Sequence, residues 1–349
     1  MNITVFPSKL AGTVKAIPSK SQAHRALICA ALAGAPLSIV QYDSAHPPSK
    51  DIEATVQCLE ALFGKAKQAA PVLQIAESAS TYRFLKPIVE ELGLNASFEL
   101  GERLRQRCVN DSGTTSQYIS GRLMALPLLE VPESQLRLQG ENQVSMPYIE
   151  LTVDVMRRFG IQLDFDNYTF RVPGGQKYRA PEVVNIEGDW SNAAFWLCAN
   201  ALGADITVTG LNPASKQGDK AVVDILQRAN AGETDATDVV EVDARDCPDL
   251  VPILAFTAFG LGKPLTVHNP ERLKLKESDR IAAVNEVLSN LKSGRVSSHG
   301  DHRIVMSAAI AAALLCERPV TIEGADAVQK SYPHFFEDFA ALGAIISKE

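Results

Sequence analysis

The chain repeats one pattern six times, and this repetition constrains the fold more than any other feature. Each copy begins with a short polar cluster, continues as an Ala- and Leu-rich helix, and ends in a β-branched strand near Gly or Asn. The copies span residues 19–42, 78–101, 113–140, 189–210, 246–269 and 300–324. A helix N-terminus carries unpaired N–H groups and a partial positive charge, so several of them directed at one cleft would bind phosphates and carboxylates. The repeats therefore predict a protein that binds anionic small molecules.

A second, amphipathic helix follows most of the strands, at residues 51–63, 147–159, 217–230, 276–291 and 333–342. The second copy is the exception, because residues 101–107 run almost directly into the next helix cap at Gly113. The caps at Ser80 and Thr115 also lie much closer together than those at Ser21 and Ser80. We infer that a helix and its strand pair are absent after Arg107, and that a smaller segment is absent after residue 291.

Units of β-α-β-α-β type with this period predict an α/β architecture in which each unit buries either its helices or its sheet. Three units precede residue 187 and three follow it, so we expect two lobes. One lobe would comprise residues 1–18 plus 188–349 and the other residues 19–187. The cleft between such lobes is where a ligand is expected.

Composition narrows the class of protein. A chain of 349 residues with 46% apolar content can bury two cores. The net charge of −7 argues against nucleic acid as a partner, although Lys and Arg recur in the polar clusters. The N-terminal residues lack the apolar core of a signal peptide, and the longest apolar run is too short to span a bilayer. The six cysteines form no CxxC pair, which favours free thiols in a reducing cytoplasm.

Two polar clusters in the first half of the chain are candidate anion sites. Ser21 and Arg25 lie four residues apart on one helix face, and together with Lys20 they could hold a dianion. The run Thr115-Ser116-Gln117 offers hydroxyl and amide groups to phosphate oxygens or sugar-like hydroxyls. An ordinary capped surface helix is the alternative interpretation of each cluster.

The second half of the chain places carboxylates beside cations. Asp249 precedes a strongly apolar helix, whose positive end would keep the carboxylate ionised and able to act as a base. The runs 276–280 and 300–303 each combine acidic and basic residues at a helix start. A helix cap or a solvated capping box is the alternative for all three. Lys330 lies in a loop and carries little information on its own.

In this order, these clusters resemble those of the 5-enolpyruvylshikimate-3-phosphate synthase family. The similarity covers nearly the whole chain, through PSKSQAHRALICAALA, ESASTYRFL, SQYISGRLMALPL, SMPYIELTVDVMRRFG, EGDWSNAAFWL, CPDLVPILA, LKESDRIAA, SHGDHRIVMS and KSYPHFFEDF. The resemblance implies a two-lobed inside-out α/β barrel built from six β-α-β-α-β-type repeats, here with one or two shortened. It also implies transfer of the enolpyruvyl group of phosphoenolpyruvate to the 5-hydroxyl of shikimate 3-phosphate, in aromatic amino acid biosynthesis. No metal or organic cofactor is expected, and no HExxH, P-loop or GxGxxG motif is present.

The resemblance also implies roles for individual residues. Asp249 would take the 5-hydroxyl proton, and Glu277, with His302 beside it, would protonate the vinyl carbon. Lys20 would contact both substrates. The residues implied for the shikimate 3-phosphate side are Ser21, Arg25, Thr115, Ser116, Gln117, Ser145, Arg272 and Lys276. Those implied for phosphoenolpyruvate are Arg107 and Lys330 at its phosphate, Arg280 and Arg303 at its carboxylate, and Ala79 in the wall of its site.

Ala79 stands where the family commonly has Gly, and Met146 where a lysine is usual. The additional methyl group of Ala79 should crowd a close backbone approach and weaken glyphosate-like inhibitors. The lobe of residues 1–18 plus 188–349 is expected to carry the carboxylate clamp and the catalytic carboxylates. The lobe of residues 19–187 is expected to bind the phosphate of shikimate 3-phosphate. A cytoplasmic monomer with two small-molecule substrates and no nucleic-acid or membrane partner is expected.

Two alternatives remain open at this point. The sister enzyme that acts on UDP-N-acetylglucosamine carries a reactive cysteine shortly before the arginine that Arg107 matches, and residues 101–106 contain no cysteine. A non-catalytic anion-binding repeat protein is the other alternative. It would bind a ligand without releasing phosphate.

Overall fold

The computed structural model describes residues 1–42, 48–65, 69–108, 115–138, 145–230 and 239–349, and the side chains of 107, 108, 230 and 275 lie outside this description. The chain forms two compact units. Unit 1 comprises Met1–Ile17 and Gly188–Glu349, and unit 2 comprises Pro18–Glu187. In the described ranges, no helix has the length and apolar character needed to cross a membrane.

The helices and strands alternate along the chain. The helices are α1 (Lys20–Leu32), α2 (Lys50–Phe63), α3 (Ala79–Glu91), α4 (Glu102–Cys108), α5 (Ser116–Ala125), α6 (Met146–Arg158), α7 (Trp190–Ala201), α8 (Val222–Asn230), α9 (Val251–Leu261), α10 (Arg280–Asn290), α11 (His302–Leu315) and α12 (Phe335–Ala341). The strands are β1 (Ile3–Phe6), β2 (Ala11–Lys15), β3 (Val40–Gln41), β4 (Val72–Ala76), β5 (Ser97–Leu100), β6 (Glu133–Arg137), β7 (Asp164–Asp166), β8 (Thr169–Pro173), β9 (Val184–Asn185), β10 (Asp205–Thr209), β11 (Val240–Asp243), β12 (Leu265–His268), β13 (Arg295–Ser297), β14 (Val320–Glu323) and β15 (Ile345–Lys348).

Unit 1 surrounds its helices with small sheets. One sheet has the order β13-β14-β1-β15, with β1 antiparallel to both of its neighbours, and the pairs β2–β10 and β11–β12 are parallel. Helix α9 is buried from Val251 to Ala258, and α11 is buried from His302 to Ala313. A helix that is apolar on every side is stable only in a core. The interior of unit 1 is therefore helical, and α7 and α12 contribute the stacked rings of Trp196 and Phe335 to it.

Unit 2 follows the same plan. The pairs β3–β9 and β4–β5 are parallel, and β6, β8 and β7 form an antiparallel sheet. Helix α1 is buried from Gln22 to Ala31 and packs in the core with α3, α5 and α6. Helices α3 and α5 pack closely at Gly121, where a Cβ atom would overlap the Phe84 carbonyl oxygen.

The six predicted copies are present as α1–β3, α3–β5, α5–β6, α7–β10, α9–β12 and α11–β14. Local capping explains where several of these helices begin. The side chains of Ser19, Ser78, Thr115, Asp189 and Asp301 each accept a hydrogen bond from a backbone N–H of the first turn. In both units the core side of each repeat is the helix side.

The structure corrects the expectation that the second copy lacks a further helix. The second copy has a further helix, the short α4, because the Glu77 carboxylate accepts hydrogen bonds from the N–H groups of Arg103 and Leu104 at its start. The segment after residue 291 keeps one strand, β13. The described strands form separate sheets of two to four strands rather than a closed barrel.

Five cysteines are free thiols: Cys29, Cys58, Cys198 and Cys247 are buried, and Cys316 is half-buried. Burial raises the pKa of Cys58 and of Cys198 to about 12.

Candidate active site

The candidate anion site of unit 2 begins at the first turn of α1. Lys20 is the first residue of this helix, and its Nζ lies 2.8 Å from Oδ2 of Asp51 in the first turn of α2. The Asp51 side chain is only 7% exposed, whereas Lys20 keeps 24% exposure. The pair therefore holds a cation at the surface of the unit, beside two helix N-termini. The partner of Lys20 was missed by the sequence analysis.

Arg25 lies one turn further along α1 and is 1% exposed. Its Nε donates to Thr152 Oγ1 at 2.7 Å, and its other nitrogens donate to the backbone oxygens of Ser21 at 2.6 Å and Tyr148 at 2.8 Å. Burial lowers the pKa of Arg25 to about 10, and no carboxylate among the described residues compensates its charge. A buried cation without a counter-ion is costly, so this guanidinium is suited to an anionic ligand.

Helices α5 and α6 place hydroxyl groups at their N-termini. Thr115 is the N-cap of α5, Ser116 is buried in its first turn, and Gln117 Oε1 lies 3.4 Å from Arg83 Nη1. Ser145 is the buried N-cap of α6. These side chains can donate and accept hydrogen bonds without adding charge.

Two further predicted site residues of unit 2 lie on α3 and α4. Ala79 is the first residue of α3 and is half-buried. Arg107 belongs to α4, but its side chain lies outside the described residues, as do residues 109–114, where the shortened repeat was inferred.

Unit 1 contains a cluster of ionised groups, which we call the charge cluster and define as Asp249, Lys276, Glu277, Arg280, Asp301, Arg303 and Lys330. These residues lie before α9, around the starts of α10 and α11, and at the end of the 3-10 helix Ala325–Lys330. The sequence analysis had predicted six of them as site residues, and the fold brings all six together. The seventh is Asp301, the N-cap of α11.

Arg280 lies at the centre of the charge cluster and is 1% exposed. Its Nη1 lies 2.6 Å from Asp249 Oδ1, its Nη2 lies 3.1 Å from Glu277 Oε2, and its Nε lies 2.9 Å from Asp301 Oδ2. Burial by itself would lower the pKa of Arg280. The carboxylates of Asp301, Asp249 and Glu277 have the larger effect, so the pKa of Arg280 is raised. One guanidinium therefore holds three carboxylates in fixed positions.

Asp249 is the candidate base of the charge cluster. Its Oδ1 also lies 3.2 Å from Lys276 Nζ, and its Oδ2 lies 3.6 Å from Arg303 Nη2. Burial alone would raise the pKa of Asp249, but Lys276, Arg280 and Arg303 hold that pKa well below its usual range. Asp249 is therefore ionised and can accept a hydrogen bond from a substrate hydroxyl.

Glu277 is enclosed by cations. Lys330 Nζ lies 2.6 Å from its Oε1, and Arg280 Nη2 contacts its other oxygen. Burial would raise the pKa of Glu277, but Lys330, Arg280 and His302 lower it well below its usual range. Without a ligand, this carboxylate is ionised and holds no proton to donate.

Arg303 is positioned by α7. Its Nη1 donates to the backbone oxygen of Ser191 and its Nη2 to Ser191 Oγ, both at 2.6 Å. Ser191 Oγ in turn donates to Asp189 Oδ1 at 2.6 Å. Among the described residues, Nε of Arg303 has no partner although it is buried. This N–H group retains the capacity to donate one hydrogen bond.

The remaining predicted residues flank the charge cluster. Arg272 is half-buried in the 3-10 helix Pro270–Leu275 and contributes to lowering the pKa of Lys276, for which burial is the main cause. His302 is buried in the first turn of α11. Two residues that the sequence did not point to are Thr152, which orients Arg25, and Ser191, which orients Arg303. Nothing in the local sequence distinguishes them from ordinary helix residues.

The chemistry available in unit 1 follows from this geometry. The charge cluster contains four cations and three carboxylates, so its side chains carry a net positive charge, and most of their surface is buried. Fixed cations in such a place stabilise an anionic ligand and its developing charge better than they would in water. An ionised carboxylate beside them can remove a proton.

Comparison with known proteins identifies the family. A profile of the EPSP synthase (3-phosphoshikimate 1-carboxyvinyltransferase) family matches residues 6–98, 88–291 and 283–339. The chain is 34% identical to a 3-phosphoshikimate 1-carboxyvinyltransferase of Clostridium kluyveri, over 99% of this chain and 98% of that protein. It is 32% identical to the enzyme of the same name from Clostridioides difficile, with the same coverage. The first alignment runs over 426 positions, more than the 349 residues of the chain, so that relative has segments which this chain lacks.

Solved structures agree on the fold. EPSP synthase from Acinetobacter baumannii superposes with a TM-score of 0.72 at 19% identity, covering 99% of this chain and all of that one. The enolpyruvyl transferase NikO from Streptomyces tendae superposes with a TM-score of 0.65 at 15% identity, covering 99% and 98% of the two chains. At these identities the structures establish the two-domain inside-out α/β fold, and the sequence matches establish the family. The chain belongs to the EPSP synthase (3-phosphoshikimate 1-carboxyvinyltransferase) family.

Proposed function

We propose that this protein transfers the carboxyvinyl group of phosphoenolpyruvate to the 5-hydroxyl of shikimate 3-phosphate and releases inorganic phosphate. The observation that carries the proposal is the charge cluster, in which the ionised Asp249 lies among four cations. Both substrates carry several negative charges, and two such molecules react only where cations cancel their repulsion and fix their geometry. This reaction is the activity for which the family is named.

Shikimate 3-phosphate is assigned to α1, α5 and α6 of unit 2. Arg25 supports this assignment because it is a buried cation with no carboxylate partner among the described residues. Lys20 would contact both substrates. The hydroxyl and amide groups assigned to the sugar ring and its phosphate belong to Ser21, Thr115, Ser116, Gln117 and Ser145. The resemblance also assigns Arg272 and Lys276 to this substrate.

Four cations are assigned to phosphoenolpyruvate. Arg280 and Arg303 would bind its carboxylate, and Lys330 and Arg107 its phosphate. The free Nε of Arg303 supports this assignment, since a carboxylate oxygen would satisfy it.

The reaction proceeds by addition and elimination. A proton is added to the methylene carbon, the 5-hydroxyl oxygen forms a bond to the adjacent carbon, and Asp249 takes the hydroxyl proton. Loss of a methyl proton and cleavage of the bond to the phosphate oxygen then release phosphate. Glu277 can donate the first proton only after it has been protonated, because both of its oxygens contact cations in the free protein. A substrate phosphate that binds Lys330 would remove one of these contacts and raise the pKa of Glu277.

We also propose a cytoplasmic monomer without a nucleic-acid or membrane partner. Light scattering after size-exclusion chromatography tests the oligomeric state. A mass near 37.7 kDa is expected, and twice that mass would contradict the proposal.

The function is tested by measuring phosphate release from phosphoenolpyruvate with two acceptors. Turnover is expected with shikimate 3-phosphate and none with UDP-N-acetylglucosamine. The changes Asp249→Ala and Glu277→Gln should each lower the turnover rate by about 10²- to 10⁴-fold, the usual contribution of a general acid or base. Glu241→Gln, on the exposed side of β11, is the matched control. Turnover with the sugar nucleotide alone, or binding of the substrates without phosphate release, would overturn the assignment.

A further inference from the structure

His24 is a titratable residue that the proposed reaction does not use. It lies on α1 between Lys20 and Arg25 and is 1% exposed, and both of its ring nitrogens have partners within unit 2. Burial, reinforced by Lys20 and Arg25 and opposed by Asp51, lowers its pKa to about 3. The imidazole is therefore neutral at physiological pH, with one nitrogen donating a hydrogen bond and the other accepting one.

Both ring nitrogens contact hydroxyl groups of neighbouring helices. Nδ1 lies 2.8 Å from Thr55 Oγ1 on α2, and Nε2 lies 3.0 Å from Ser80 Oγ on α3. Thr55 Oγ1 lies 2.7 Å from Thr81 Oγ1, and Thr81 Oγ1 donates to the backbone oxygen of Asp51 at 3.1 Å. These contacts form a continuous chain of hydrogen bonds between α1, α2 and the first turn of α3.

One arrangement of protons satisfies these contacts together. In it, Ser80 donates to Nε2, Nδ1–H donates to Thr55, Thr55 donates to Thr81, and Thr81 donates to the Asp51 carbonyl oxygen. Ser78 Oγ lies 2.7 Å from Thr81 Oγ1 and extends the chain within α3 and its N-cap. The chain therefore connects α3, α1 and α2, with His24 between the first two contacts.

The ends of the chain lie among residues assigned to the substrates. The carboxylate of Asp51 pairs with Lys20. The His24 ring lies 5.6 Å from the ring of Phe84 on α3, and Arg25 Cζ lies 4.9 Å from the centre of the same ring. Ser80 immediately follows Ala79 in the first turn of α3. One neutral side chain thus links α3 to both cations of α1.

We propose that His24 is a positioning residue, which fixes the first turn of α3 with Ala79 relative to Lys20 and Arg25. The inference rests on the proposed function, in which this turn forms a wall of the phosphoenolpyruvate site. Without the imidazole, Ser80 and Thr55 lose their common partner and α3 can shift on α1. A displacement of this kind misplaces phosphoenolpyruvate more than shikimate 3-phosphate, because the latter is assigned to α1, α5 and α6.

The test compares His24→Phe with Ser80→Ala and Thr55→Val. Phenylalanine keeps a ring that can pack on Phe84 but makes no hydrogen bonds. We expect His24→Phe to raise the KM for phosphoenolpyruvate about tenfold while the KM for shikimate 3-phosphate stays within about twofold, since small misplacements of reacting groups are costly. Ser80→Ala should act in the same direction, and the double variant should be no worse than His24→Phe alone, because both changes break one chain.

Ile28→Val is the matched control for loss of stability. Ile28 lies one turn beyond His24 on α1 and is fully buried, so its truncation to valine removes one methyl group from the core without touching the hydrogen-bond chain. Its KM values should remain those of the parent protein. A His24→Phe protein that keeps its KM for phosphoenolpyruvate would overturn the proposal. If that variant does not fold, an unchanged KM in both Ser80→Ala and Thr55→Val overturns it instead.

Hydrogen exchange separates this inference from the proposed function. Amides in residues 78–84 should exchange faster in His24→Phe than in the parent protein or in Ile28→Val, whether or not phosphate is released. Unchanged exchange there would overturn the positioning role. An inactive parent protein with faster exchange in His24→Phe would overturn only the proposed function.

Discussion

Replacing Arg280 by Met should strongly destabilise unit 1. Asp301 is fully buried and accepts from Arg280 Nε at 2.9 Å, and Asp249 loses its 2.6 Å contact. Methionine replaces the apolar stem of arginine but lacks the guanidinium group and its charge, so these carboxylates would remain without their common cation. Removing one partner of a buried ion pair typically costs about 3–5 kcal/mol, because the remaining charge is left uncompensated. We expect a loss of this size in the free energy of unfolding.

Tryptophan fluorescence during urea unfolding measures this loss selectively. The chain has two tryptophans, and both Trp190 and Trp196 lie on α7 of unit 1. The emission therefore follows unit 1 without a contribution from unit 2. Arg295→Met is the matched control, because the side chains of Arg295 and its partner Glu323 are 58% and 44% exposed. Removing an exposed pair of this kind should cost less than about 1 kcal/mol.

A second substitution tests the cause of the loss. Asp301→Asn removes the buried negative charge, so in an Arg280→Met background it should cost less than in the parent protein. The reasoning would be refuted if Arg280→Met destabilised unit 1 no more than Arg295→Met does. Equal effects of Asp301→Asn in both backgrounds would show that the two side chains do not stabilise each other.

Three further predictions follow from other parts of the structure. Gly121→Ala should destabilise unit 2 by about 1–3 kcal/mol, because the new methyl group would overlap the Phe84 carbonyl oxygen. Circular dichroism during urea unfolding would measure the change, and an unaltered midpoint would contradict the prediction. The pKa values of Asp249 and Glu277 are lowered on folding, so their contribution to stability is complete above their ordinary values of 3.8 and 4.5 and is lost as the pH falls through the lowered values. The urea midpoint followed by tryptophan fluorescence should therefore fall on acidification below about pH 4, and a rising midpoint would count against this linkage. Ala79→Gly should strengthen inhibition by glyphosate, measured as a lower inhibitor concentration for half-maximal phosphate release, and unchanged inhibition would argue against crowding at this position.

Local features of the sequence predicted much of the secondary structure. The six copies begin where a polar side chain caps a helix and end in short β-branched strands, and capping involves residues only two or three positions apart. The short helix α4 was missed because its stabilising group, the Glu77 carboxylate, lies outside the segment. The order of the clusters also identified the family correctly.

The sequence predicted residues of the candidate site but not which of these residues contact one another. Arg280, Asp249 and Lys330 could be named as site residues through the resemblance of their motifs to those of the family. Their mutual contacts join side chains from separate helix starts, and no periodicity encodes such contacts. The same holds for Arg25 and Thr152, which lie 127 positions apart in the chain.

The amino-acid sequence by itself thus determined where helices and strands form, because caps and apolar faces act over a few residues. It also determined which charged residues the chain could bring to a site. Only the tertiary structure decided that the helices fill the cores, that Asp301 neutralises Arg280, and that a buried neutral His24 links α1 to α2 and α3. These outcomes depend on burial and on distances between remote segments, which change the cost of a charge and the number of available hydrogen-bond partners.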